Sequence, residues 1–173
     1  MSLELSYLRL PPTIEGVGGQ GGGEPDDPSR IAQAVFGTPD WRRRQPADRI
    51  LNLGRNWQIL HYLITGDPWD GRLPAADVVC GGRLLTEDGA DKLGMDVIYL
   101  DPHRVKQAAD HLATTPFQTG RFDVATMMEA DVQDAGALTQ SARDEVFKPA
   151  YHAVSDFYAA AAAEGQAIYK VMG

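Results

Sequence analysis

The side chains that could carry chemistry here are four histidines, a single cysteine and a scatter of aspartates, so their spacing decides what is open to them. His103 and His111 stand eight positions apart on one predicted helix, about 12 Å along its axis and too far to share an ion. His152 and Asp156 have the i,i+4 spacing of a ligand pair, but no second cluster accompanies them, and a surface pair is the simpler reading. His-Glu-x-x-His is absent and one cysteine cannot build a zinc knuckle, so no metal is expected. None of the serines lies in Gly-x-Ser-x-Gly. Cys80 beside Gly81-Gly82 reads either as a thiolate near backbone donors or, within Val78-Val79-Cys80, as an inert buried thiol. Gly16-x-Gly18-x-x-Gly21 matches the dinucleotide fingerprint letter for letter. The mechanism, however, needs a helix to start directly after the glycines, and Glu24, Pro25, Asp26, Asp27 and Pro28 stand there instead. A mobile surface loop over about 15–28 is expected, and no cofactor.

That leaves His61, in the densest stretch of the chain. Trp57, Leu60, Leu63 and Ile64, with Leu53 before them, follow the 3–4 spacing of a helix with a buried face, started near Asp48 or Pro46 and stopped by Gly66 and Pro68. His61, four residues after Trp57, lies on or beside that face. It is either a core histidine satisfied by a carbonyl or hydroxyl, or a pocket residue among Trp57, Tyr62, Trp69 and Asp70, acting as a donor or base. Periodicity does not separate the two.

The string Asn56-Trp57-Gln58-Ile59-Leu60-His61-Tyr62-Leu63-Ile64-Thr65-Gly66 is similar to the Trp-x-x-Leu-His-x-x-Leu-Thr-Gly signature of the YfbM-like domain family, bacterial proteins of unknown function. Ser6–Leu10 resembles that family's first strand and Val79–Gly82 its Gly-containing segment. Val97–Pro102 followed by a helix, and the long C-terminal helix, fall in the family's order. The resemblance implies a small sheet with helices packed over it. Where relatives carry a Tyr-Pro-x-x-Trp element, this chain reads Met128-Glu129-Ala130-Asp131-Val132-Gln133.

Length and composition bound the remaining choices. With 173 residues, 43% hydrophobic and 23% charged, one domain spanning the chain is expected, large enough to bury about 70% of its unfolded surface. A formal charge of −8 argues against nucleic acid or an anionic membrane as partner, since both reward clustered lysine and arginine. Arg42-Arg43-Arg44 is flanked by Asp40 and Asp48 and reads as a solvated segment. A lone cysteine and an N-terminus interrupted by Glu4 and Arg9 fit a cytoplasmic protein. No run approaches the ~20 apolar residues of a membrane-spanning helix.

The elements that would position these residues follow in order. Leu3 to Leu10 nearly alternates and reads as a strand ended by Pro11-Pro12. Pro28-Ser29 caps a short helix through Phe36, with Ile31, Ala34 and Val35 inward. Val78 to Cys80 fits a short strand or a helix end equally well. Gly94–Leu100, mostly apolar, reads as a central strand, after which Asp101 at Ncap and Pro102 at N1 begin a helix with Val105, Ala108, Ala109 and Leu112 inward. Asp123 caps a helix through Met127 and Met128. A long helix from about Ala142 to Ala163 has Val146, Phe147, Tyr151, Val154, Phe157 and Tyr158 on its apolar face, with Pro149 as a kink or true start, and a last strand follows Gly165. The expected class is α/β, a small mixed sheet with helices on its faces, with α+β as the alternative. Functionally, two readings stand. One is a non-catalytic binding protein, of immunity or regulatory type, that recognises a protein partner. The other is an enzyme or small-ligand binder with its pocket around the Trp57–His61 helix. Self-association, as monomer or weak homodimer, is left open.

Overall fold

Residues of β1 (Leu5–Leu10) point alternately to two faces, and both faces are buried, so the whole strand is inaccessible to solvent. The computed structural model describes residues 3–14, 27–86 and 93–173; the glycine-rich stretch at 15–26 lies outside them. β1 and β5 (Ala167–Met172) form the centre of a five-stranded sheet ordered β2-β1-β5-β4-β3. β2 is Ile50–Gly54, β3 is Arg83–Leu84 and β4 is Asp96–Leu100. Every pairing is antiparallel, with Ser6 opposite Val171 and Tyr99 opposite Tyr169. The combination of sheet and helices is the expected α/β class; the sheet is antiparallel throughout, with the last strand, β5, seated between β1 and β4.

Each face of the sheet has its own core. Leu8, Leu10, Val97, Tyr169 and Val171 meet Ile31, Ala32 and Phe36 of α1 (Pro28–Phe36) and Trp41 of the single-turn α2 (Trp41–Arg44). On the opposite face Leu5, Tyr7, Leu100 and Ile168 meet three helices: α3 (Trp57–Thr65), α4 (Pro102–Thr114) and α6 (Lys148–Ala163). A third cluster joins Ile59, Tyr62 and Leu63 of α3 to Phe122, Met127 of α5 (Val124–Glu129), Val132 and Phe147. α3 is therefore buried on two opposed sides, and eight of its nine residues are inaccessible. A helix covered all round has no need of a polar face, which is why its sequence is apolar almost throughout.

Several expectations hold in detail. The Asp101 carboxylate accepts from Arg104 N at 2.8 Å and caps α4, while Asp123 accepts from Thr126 N at 2.9 Å and caps α5. Val78–Cys80 is a helix end, following a 3₁₀ turn at Ala75–Asp77. Others are corrected. The signature helix does not begin near Asp48 and does not include Leu53; Ile50–Gly54 is a strand, and the helix starts at Trp57. Asn52 Oδ1 accepts from Gly54 N, and Gly54 turns the chain at φ +60°, so Leu51 and Leu53 reach the core from an extended segment. In α1 the cap is Asp27, not Ser29; Ile31 and Val35 face the core as expected, joined by Ala32 and Phe36, while Ala34 is exposed. Before Pro149 a π-helical turn, Arg143–Phe147, replaces the start of the long helix and turns Val146 out to solvent. Among the described residues no helix is long and apolar enough to cross a membrane.

Candidate functional site

The exit from α3 is built from short-range hydrogen bonds. Gly66 adopts φ +83° and its N–H returns to Tyr62 O, which ends the helix. Asp67 Oδ1 then accepts from both Trp69 N and Asp70 N, at 2.9 and 2.8 Å, folding 67–70 into an Asx turn. These two N–H bonds favour the charged form and hold the Asp67 carboxyl below its usual range. The turn delivers the Asp70 carbonyl to His61 Nε2 at 2.8 Å. A carbonyl can only accept, so Nε2 carries the proton and Nδ1 is the bare nitrogen.

His61 is wholly buried, and its Nδ1 has no hydrogen-bond partner. Burial lowers its pKa, outweighing the Asp70 carbonyl bond that raises it. A neutral imidazole fixed to a backbone carbonyl, with no nucleophile on its free nitrogen, does not form a catalytic pair. The other predicted site residues divide. Trp57 is buried, donates from Nε1 to Leu3 O at 3.0 Å, and lies under Trp69 with the rings 5.7 Å apart. Trp69 itself is 59% exposed. Tyr62 belongs to the third core cluster and does not join the others. Asp70 contributes its backbone rather than its carboxylate to His61. Of the five, Trp69 and Asp70 present a surface, and Trp57, His61 and Tyr62 are core.

A second polar cluster, unforeseen in the sequence, lies on the same face of the sheet. Lys170 projects from the middle of β5 and is wholly buried, with Nζ donating to Asp77 O and to Gly81 O (2.5 Å). Tyr7 and Tyr158 donate to Val78 O at 2.8 and 2.7 Å. The Asp77 carboxylate receives Nε and Nη2 of Arg104 at 2.8 and 2.5 Å. The turn 77–81 thus has its carbonyls filled by side chains from β1, β5 and α6, and its carboxylate filled from α4. Burial pulls the Lys170 ammonium down to about 7 and pushes the Cys80 thiol up to about 11. Cys80 is a protonated thiol at neutral pH, in keeping with the inert reading. The signal that could have revealed this cluster was a lysine inside the central apolar strand Ile168-Tyr169-Lys170-Val171, where charge is rare unless partnered.

Neither His103, which contacts Gln107, nor the His152–Asp156 pair joins a larger ligand set; among the described residues no group of three metal-binding side chains occurs.

The fold and these contacts define a helix-covered antiparallel sheet organised around the Trp-His helix, and the chain belongs to a family defined as a domain of unknown function, DUF1877, whose model matches residues 25–170. It is similar in structure to the protein of unknown function YfbM from Escherichia coli, with a TM-score of 0.64 over 98% of this chain and 99% of that one. Sequence identity is 13%, so the likeness is one of fold. No curated protein matches the chain.

Proposed function

We propose that this protein is a non-catalytic binding protein of regulatory or immunity type that recognises a protein partner through the exposed loop after α3. The observation that carries the reading is Trp69, 59% exposed yet held in place by a tilted ring contact with buried Trp57 and by the Asx turn at Asp67. A large aromatic side chain in water is costly unless covered part of the time, and rigidly held tryptophans are common energetic anchors of interfaces. Leu73, 66% exposed, extends the apolar surface along the same loop. The enzyme reading required an open pocket at His61; the burial of that ring weighs against it. The test is affinity capture from cell extract with the wild-type chain and with Trp69→Ala. The expected result is a protein retained by the first and lost with the second at an unchanged melting temperature. An identical set of retained proteins would overturn the proposal.

A further inference from the structure

Where α3 ends against the C-terminal half of α4 there is a cleft of about 460 Å³ lined by Thr65, Arg72, His111, Thr115, Gln118 and Arg121, together with apolar Ile64 and Ala75 and the backbone of Gly71. The volume falls within the ordinary range for small-molecule sites. Its polar lining contains two guanidiniums and an imidazole but no carboxylate. In a chain of formal charge −8 this local reversal of sign is out of keeping with the average surface.

The cations are also placed for a ligand. Arg121 Nη1 donates to Leu63 O and Ile64 O, at 3.2 and 2.6 Å, which quenches the negative C-terminal end of α3 facing the cleft. Those bonds use a single nitrogen of Arg121. Among the described residues neither the Arg72 guanidinium nor the His111 ring has a hydrogen-bond or ion-pair partner. Two guanidiniums and an imidazole lining one concavity are the donor types that oxyanions select.

We infer that the cleft between the end of α3 and the end of α4 binds a small organic oxyanion, a ligand carrying a phosphoryl or carboxylate group, through Arg72, His111 and Arg121. The site shares the loop after α3 with the Trp69 surface, Arg72 standing between Trp69 and Leu73, but it takes a different class of ligand through a different set of side chains, and its failure would leave the protein-binding reading standing. Arg72 is the discriminating residue, because it is exposed and its guanidinium has no partner among the described residues, while the one hydrogen bond it does make, from Ala76 N to its carbonyl, belongs to the backbone and survives truncation of the side chain.

The test is isothermal titration of the full chain, at fixed ionic strength, with sodium pyrophosphate and with sodium citrate as the probes. The expected result is saturable binding of at least one of them. Arg72→Ala should weaken it about tenfold or more, the size expected for a lost charge-assisted contact. His111→Gln should weaken it as well. His152→Gln, which alters a neighbouring cleft lined by Lys148, His152 and Ser155, should leave it unchanged. Preference for pyrophosphate would assign a phosphoryl ligand, and preference for citrate a carboxylate. Absence of saturable binding to either probe, or binding that is indifferent to Arg72→Ala, would overturn the assignment.

Discussion

Lys170 gives the fold an unusual pH dependence. Its folded pKa of about 7 lies well below the 10.5 of an exposed lysine, chiefly because burial disfavours the charged form. Between those values the unfolded chain binds a proton that the folded chain does not, so stability rises with pH across that window. Deprotonation leaves both hydrogen bonds in place, since a neutral amine still has two N–H donors for the carbonyls of Asp77 and Gly81. From about pH 7 to about pH 9 the linkage integral gives roughly 2 kcal/mol of added stability from this group. Above about pH 9 the gain is opposed by Cys80, Tyr7 and Tyr158, whose raised folded values make the native state the proton binder. Urea unfolding at constant ionic strength, with reductant, at several pH values through that lower window would measure the slope. Lys170→Met should abolish the rise and, at the upper end of the window where the amine is neutral, lower stability by about 2–5 kcal/mol, because the Gly81 carbonyl loses its side-chain donor and the Asp77 carbonyl keeps only the 3.2 Å bond from Tyr158. A wild-type stability that is flat or falling from pH 7 to pH 9, or a Lys170→Met variant with the same slope, would refute the reasoning.

Asp101→Ala should cost about 1 kcal/mol in urea unfolding and Asp101→Asn much less, since either side chain presents an oxygen to Arg104 N; equal large losses would point to a role for the charge. Trp57→Ala should cost about 3–5 kcal/mol, because the ring is buried beneath Trp69 and its removal leaves a cavity as well as an unfilled acceptor at Leu3 O. A loss below about 1 kcal/mol would mean that Trp69 and its loop collapse into the gap.

What could be read from the sequence followed how local the determining physics was. Asp101-Pro102 and Asp123 announce their helices because a cap is a contact between near neighbours, and both caps are present. Gly66 stops α3 for the same reason. Leu53 fits the helical spacing of the signature stretch, four residues before Trp57, yet with Leu51 two residues earlier it fits the two-residue period of a strand equally well over so short a run. Their strand character comes from pairing with β1, more than forty positions away, and no local rule carries that. The candidate site divides along the same line. The signature stretch marked α3 and its exit, yet whether His61 was core or pocket depended on how the 67–70 turn folds back onto it and on its packing towards Lys170 of β5, more than a hundred positions away. Lys170, Asp77 and Arg104 meet from three distant segments, so their cluster is visible only in the fold. The cleft lined by Arg72, His111 and Arg121 is a product of the same long-range assembly.

The measurement that bears most directly on the proposed role sets His61→Gln beside Trp69→Ala, with melting temperature and partner retention recorded on each. His61 is buried and bonded to the Asp70 carbonyl, so His61→Gln should melt earlier and retain the partner in proportion to its folded fraction. Trp69→Ala should melt normally and retain nothing. The reverse pattern, an unchanged melt with binding or turnover lost on His61→Gln and full retention on Trp69→Ala, would contradict the account and move function to the histidine.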